Sequence, residues 1–326
     1  MLHVRVVSPA ELTGRLVARL AGHSGVRNLV LLRGMAQRPD GDAVQFDLHN
    51  ASANPVLHDL RSLGLDERGS ITVGEVNVAL DGPPSPAAER RYARREQVPV
   101  WEVVEGIIRA NASYPPSFYL LLMFAGLIAA VGMLTNSQIL IVGAMVVGPE
   151  YFAIIAAALG LSAVSSGKRD WTAVRVSLAA LCYGFLAAIV VTLLFGLAVR
   201  ATGTAPQAFV KGVRPVAELI NSPNIFSVIV AVLAGLVGVV SLTESRANAL
   251  IGVFISVTTI PAAASIGLSL AFSSWHDAEG SLAQLLLNVV LLIVVGAAGL
   301  SAQRVIWRRL AGPPAGPPGV TESRLD

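Results

Sequence analysis

Along the first 80 residues, apolar positions come in short periodic groups. After residue 117 they merge into segments close to the roughly 20 residues that a bilayer core requires. The two patterns predict two kinds of structure. In the first, LHVRVV reads as a strand, and PAELTGRLVARLAGH places Leu12, Leu16, Val17 and Leu20 at helical spacing. VRNLVLLRGM reads as a second strand, AVQFDLHN alternates apolar and polar residues, NPVLHDLRSLGL is a second amphipathic helix, and SITVGEVNVAL is a last strand. The order βαββαβ over residues 1–80 predicts a small cytoplasmic α+β domain of the ferredoxin-like type. Residues 22–25, GHSG, read as a turn joining helix to strand.

Pro-rich and Arg-rich residues 81–99 form a linker, and Trp101 with the valines and isoleucines of 100–116 predicts an amphipathic helix lying at the membrane interface or docked on the first domain. Six apolar segments follow at about 118–134, 139–165, 176–199, 225–242, 249–272 and 282–303, within a membrane domain of residues 117–304. The tail, 305–326, is rich in Pro and Gly and predicts disorder.

Composition agrees with a polytopic membrane protein: 54% of residues are hydrophobic, 14% are charged, and the mean hydropathy is +0.65. The formal charge of +3 does not imply nucleic acid, because the arginines cluster beside apolar segments. Twelve basic residues gather on one side, among them Arg109, Lys168, Arg246 and Arg304, against Arg200, Lys211 and Arg214 on the other. The positive-inside rule then places both termini in the cytoplasm of a plasma-membrane protein. The start of the chain carries no signal-peptide pattern. Cys182, the single cysteine, excludes an intramolecular disulfide and is expected to be a buried packing residue.

Six spans divide into three plus three, so the halves have opposite orientation and an inverted repeat is expected. Asn136 opens the second span and Pro149 follows thirteen residues later; Asn248 opens the fifth, and Pro261 follows at the same interval. Each proline removes a backbone donor, which leaves the carbonyls of Met145 and Val257 in want of a partner. Gly143 and Gly148 loosen the second span, and Ser256, Thr258 and Thr259 place hydroxyls beside the fifth.

Directly after the first break stands Glu150, a carboxylate near the middle of an apolar segment and hence a functional candidate. It has three readings: a group that titrates with solute or proton movement, a carboxylate held by a donor such as Tyr183 or Asn288, or one brought to water by a re-entrant hairpin. Ala153, Ala156, Ala157 and Gly160 downstream form a small-residue surface for helix packing.

The stretch Tyr119 to Pro149 resembles the family labelled domain of unknown function 389, with Gly132, Asn136, Ser137, Gly143, Ala144, Met145 and Pro149 matching its signature. The likeness covers roughly residues 98–305. Members commonly carry a second proline soon after the first, whereas here Glu150, Tyr151, Phe152 and Ala153 follow. The resemblance implies a six-span membrane domain and supplies no activity.

No GxSxG, HExxH or phosphate-loop pattern is present and the five histidines are scattered, so no enzyme, metal site or cofactor is expected. The leading expectation is a transporter or channel for a small solute or ion. Its midplane site would be built from Gly148, Pro149, Glu150, Met145, Val257, Thr258, Thr259 and Pro261, with a cytoplasmic regulatory domain. The alternative is a membrane-anchored sensor or assembly protein whose specificity lies in the N-terminal domain. Expected partners are the lipid bilayer, the solute and further copies of the chain, not nucleic acid.

Overall fold

The computed structural model describes residues 1–23, 25–76, 101–162, 169–206, 209, 224–243 and 259–311. The expectations for the linker and for Asn248, Ser256, Val257 and Thr258 lie outside these. The chain forms two compact units, the first of Met1–Val104 together with the chain from Trp307 onward and the second of Glu105–Ile306.

In the first unit, β1 (Leu2–Ser8), α1 (Ala10–Ala21), β2 (Val26–Gln37), β3 (Asp40–Leu48), α2 (Asn50–Ser62), the one-turn α3 (Leu65–Arg68) and β4 (Ser70–Glu75) follow in order. The strands form one antiparallel sheet in the order β2-β3-β1-β4. Strand alternation puts Leu2, Val4 and Val6 on one face, and the register pairs Val4 with Phe46 and with Val73. That face meets Leu12, Leu16 and Leu20 of α1 and Val56, Leu57 and Leu60 of α2. Each such side chain taken from water contributes about 1.5–3 kcal/mol, so this core is the main source of stability in the unit. The opposite face is mixed: Val30 and Leu32 of β2 are exposed there, while His3 Nδ1 lies 2.8 Å from Asp47 Oδ1, and Asn28 donates to Asp47 Oδ2 at 2.7 Å. Burial would raise the Asp47 carboxyl, but these two hydrogen bonds outweigh it and hold it below the usual carboxylate range.

The second unit is helical: α4 (Trp101–Asn111, which begins in the first unit), α5 (Pro116–Leu134), α6 (Gln138–Val147), α7 (Glu150–Ser162), α8 (Trp171–Ala201), α9 (Ile225–Thr243), α10 (Ile260–Ala271) and α11 (Trp275–Ala311, whose last turn from Trp307 counts with the first unit). Four of these, α5, α8, α9 and α11, are long and apolar enough to cross a membrane, and α6 with α7 makes a fifth if the bent pair is one span. α11 runs to Ala311, beyond the predicted domain end at 304, because RVIWRRL contains no helix breaker.

α7 and α10 are short and buried almost all round, the mark of helices enclosed by others rather than facing lipid. Their small residues allow it. A Cβ on Gly267 would come within 2.6 Å of the Ile189 carbonyl and 2.8 Å of the Leu193 amide, so α10 and α8 touch backbone to backbone. Ala153, Ala156, Ala157 and Gly160 are all buried, in the packing role expected of them.

Two expectations are corrected. Cys182 is exposed on α8, not buried. Tyr183 beside it is 65% exposed and so is no internal donor. An apolar run in a membrane helix has one side toward protein and one toward lipid, and hydropathy does not distinguish them.

Candidate functional site

The break at Gly148 and Pro149 creates the site. Gly148 ends α6 with φ −68° and ψ 127°, the extended geometry favoured before proline, and α7 begins at Glu150 after a bend of 55°. Such a break leaves the last carbonyls of α6, Met145 among them, and the first amides of α7 without the partners a continuous helix supplies. Gly143 takes no part; it sits inside α6 with open space where a Cβ would project. Asn136 also stands apart, in the turn between α5 and α6 with φ 54°, and it is Ser137 that caps α6 by accepting the Leu140 amide. The ten residues of α6 span about 15 Å between that cap and the break.

Glu150 is fully buried (0% exposed) in the first turn of α7, where the positive end of the helix dipole favours an anion. Its Oε1 accepts a hydrogen bond from Thr259 Oγ1 at 3.0 Å. Thr259 occupies the N-cap position of α10 yet makes no side-chain cap there; its hydroxyl serves Glu150 instead. Pro261 does not interrupt a described helix. It lies in the first turn of α10, where a missing amide hydrogen is harmless. The N-termini of two enclosed short helices thus converge on one carboxylate. Tyr151, next in sequence, donates to the Gly238 carbonyl at 3.2 Å and ties α7 to α9. Ile260 completes the surroundings: a methyl group on Gly148 would collide with its Cδ1 and with Glu150 Oε2.

Beyond this pair lies a polar group that sequence reasoning named only at Asn288. Ser281 Oγ is 2.9 Å from Ser265 Oγ and 2.8 Å from the Asp277 carbonyl, and Gln284 Nε2 donates to Asn288 Oδ1 at 3.2 Å. Ser265, Ser281, Gln284 and Asn288 are all buried. The signal was present in the intervals between Asp277, Ser281, Gln284 and Asn288, which fall on a single helix face. The high hydropathy of the segment hid it.

The apolar helices, their enclosed broken members and the small antiparallel sheet define a multi-pass membrane protein with an appended α+β domain. Residues 145–294 match the family model described as Domain of unknown function (DUF389), the family that the Tyr119–Pro149 stretch resembles. The matched segment contains Glu150, Thr259 and the polar face of α11. No curated protein and no solved structure matches the chain.

Proposed function

We propose that the membrane unit is a transporter or channel for a small solute or ion, centred on Glu150 and coupled to proton movement. The observation that supports this reading is a fully buried carboxylate held by Thr259 where two enclosed helices begin. An ionisable group in such a place is retained at a cost of several kcal/mol unless it is compensated, and discontinuous helices with converging ends are a recurrent way to build a midplane solute site. The Thr259 hydroxyl donates to a charged Glu150, and a protonated Glu150 can donate in return, so gain or loss of one proton rearranges the contact between α7 and α10.

In this reading α6 with α7 is the second of six spans, α10 with residues 249–259 is the fifth, and the two Pro-marked helices are counterparts in an inverted repeat. Both termini are cytoplasmic, the membrane is the plasma membrane, the protein is not an enzyme, and it assembles with further copies of itself. The first unit, whose sheet order β2-β3-β1-β4 suits a ferredoxin-like domain, binds a cytoplasmic ligand that biases the membrane unit.

The test is proton flux in reconstituted vesicles with a trapped pH-sensitive dye and gradients of protons, sodium or potassium. Glu150→Gln keeps an acceptor for Thr259 and removes the charge. Wild type should dissipate the pH gradient faster than protein-free vesicles, and the Gln variant should not. Equal flux through both proteins, or none above the protein-free rate through wild type, overturns the proposal.

A further inference from the structure

The buried face of α11 changes character along its length. From Asp277 to Asn288 it carries Ser281, Gln284 and Asn288, whereas over the next turns, from Leu292 to Leu300, its buried positions are apolar, with Ile293 and Ala297 between them. α10 and α11 form an antiparallel hairpin through Phe272–Ser274, and the Ser265–Ser281 contact fixes their register. Asn288 lies seven residues beyond Ser281, and Thr259 lies six before Ser265, so both stand about 10 Å from that pair on the side away from the turn. The polar positions therefore begin near the hairpin turn and stop at the level of Thr259 and its partner Glu150. From Asp277 to Asn288 the helix rises about 16 Å, half of a hydrocarbon core of about 30 Å.

One atom on this face points to an occupant. Gln284 is 4% exposed; its amide nitrogen is engaged with Asn288, while its Oε1 has no hydrogen-bond donor among the described residues. A buried amide oxygen without a donor is destabilising by about 1–3 kcal/mol, and water supplies what it lacks. Hydroxyls at Ser265 and Ser281 both donate and accept, as a chain of waters requires.

We infer that the Ser265, Ser281, Gln284 and Asn288 face is a water-bearing half-channel that carries protons between the membrane face at the α10–α11 turn and Glu150. It ends at the carboxylate, because the buried positions of α11 from Leu292 to Leu300 are apolar; polar side chains return only at Ser301, which donates to the Ala297 carbonyl at 2.7 Å, and at Gln303, three turns or more beyond Asn288. The Arg200 guanidinium, which donates to the Ala271 carbonyl at 2.8 Å and to Ser273 Oγ at 3.1 Å, stands at the turn where this face begins. The inference rests on the reading of Glu150 as a proton-exchanging centre, but its test does not need flux.

The experiment uses the full-length chain with Cys182→Ala and single cysteines at Ser274, Ser281, Gln284 and Asn288, in sealed vesicles of known orientation. Leu286→Cys, at a position 57% exposed on the lipid side of the same helix, is the control. A small charged, impermeant methanethiosulfonate is added to each face in turn, and unreacted thiol is counted by a later mass-shift label. Reaction should occur from the face where Ser274→Cys reacts. Since only a thiolate reacts and it forms only where water reaches, Ser281→Cys, Gln284→Cys and Asn288→Cys should be about tenfold or more faster than Leu286→Cys.

If Gln284→Cys and Asn288→Cys react no faster than Leu286→Cys while Ser274→Cys reacts, the polar group is dry interhelical packing and the half-channel is refuted. Should those variants fail to purify as monodisperse protein, Ser265→Cys and Ser281→Cys, which exchange one atom, decide by the same comparison. Labelling without Glu150-dependent flux would sink the transport reading alone; Glu150-dependent flux without labelling would sink the half-channel alone.

Discussion

Gly148→Ala adds one methyl group at the hinge of the broken helix and tests whether the site is as tightly closed as the geometry requires. The backbone there, φ −68° and ψ 127°, suits alanine, so any loss comes from contacts and not from strain. The new Cβ would overlap Ile260 Cδ1 and Glu150 Oε2. Ile260 can swing its terminal methyl, but Glu150 is tied to Thr259 and has less freedom. Overpacking of this kind costs about 1–3 kcal/mol. For a unit of this size that corresponds to a fall in Tm of roughly 2–4 °C per kcal/mol, or about 2–12 °C in all. Thermal unfolding of the detergent-solubilised chain, followed by circular dichroism, is the assay. Two companions sharpen it. Gly143→Ala, also in α6 but with open space around its Cβ, should be neutral or stabilising by up to about 1 kcal/mol. Ile260→Val deletes the overlapped Cδ1, so the double variant Gly148→Ala with Ile260→Val should recover part of the loss, a coupling of about 0.5–3 kcal/mol. Strict additivity, or a Gly148→Ala protein as stable as wild type, would refute the reasoning.

Two further outcomes concern the N-terminal unit. Phe46, fully buried on β3 between the sheet and its helices, should cost about 3–5 kcal/mol when truncated to alanine, and urea unfolding of that unit reads it. Asp42 accepts the Gly34 amide at 2.7 Å, and that bond, aided by Thr13, holds its carboxyl below the usual range. A depressed folded value means the contribution is present above the unfolded value, about 3.9, and is lost as pH falls through the folded one. The stability difference between wild type and Asp42→Asn should therefore be flat above about pH 5 and shrink below about pH 4; a constant difference down to about pH 2 would exclude Asp42 as the titrating group.

The first unit was legible in the sequence because it faces water on one side. Leu12, Leu16 and Leu20 at helical spacing, and Leu2, Val4 and Val6 in alternation, mark which side is buried, and they are buried. The break at Pro149 and the isolation of Glu150 were legible as well, since proline lacks an amide hydrogen and a carboxylate stands out in an apolar run. What could not be read is what Glu150 meets. Thr259 is 109 residues away, and only the packing of α7 against α10 brings the two together. Sequence reasoning offered Tyr183 as a donor because nothing in an apolar helix tells the lipid side from the protein side. It passed over Gln284 because one polar residue barely lowers the hydropathy of a 37-residue helix.

At about 1.5 Å per residue, α11 is about 55 Å long, more than the roughly 40–45 Å of a bilayer with its headgroups. It cannot be wholly immersed unless it tilts, and it has no proline and no break along which to bend. Gln284 and Asn288 near one end and Arg304 near the other are thus fixed to one stiff shaft, with Arg304 about 24 Å along the axis from Asn288. A turn of that shaft that withdraws Gln284 from its buried face must sweep Arg304 through the same angle at the opposite membrane surface. Whatever grips the guanidinium there, lipid phosphate or protein, holds a brake on the polar face.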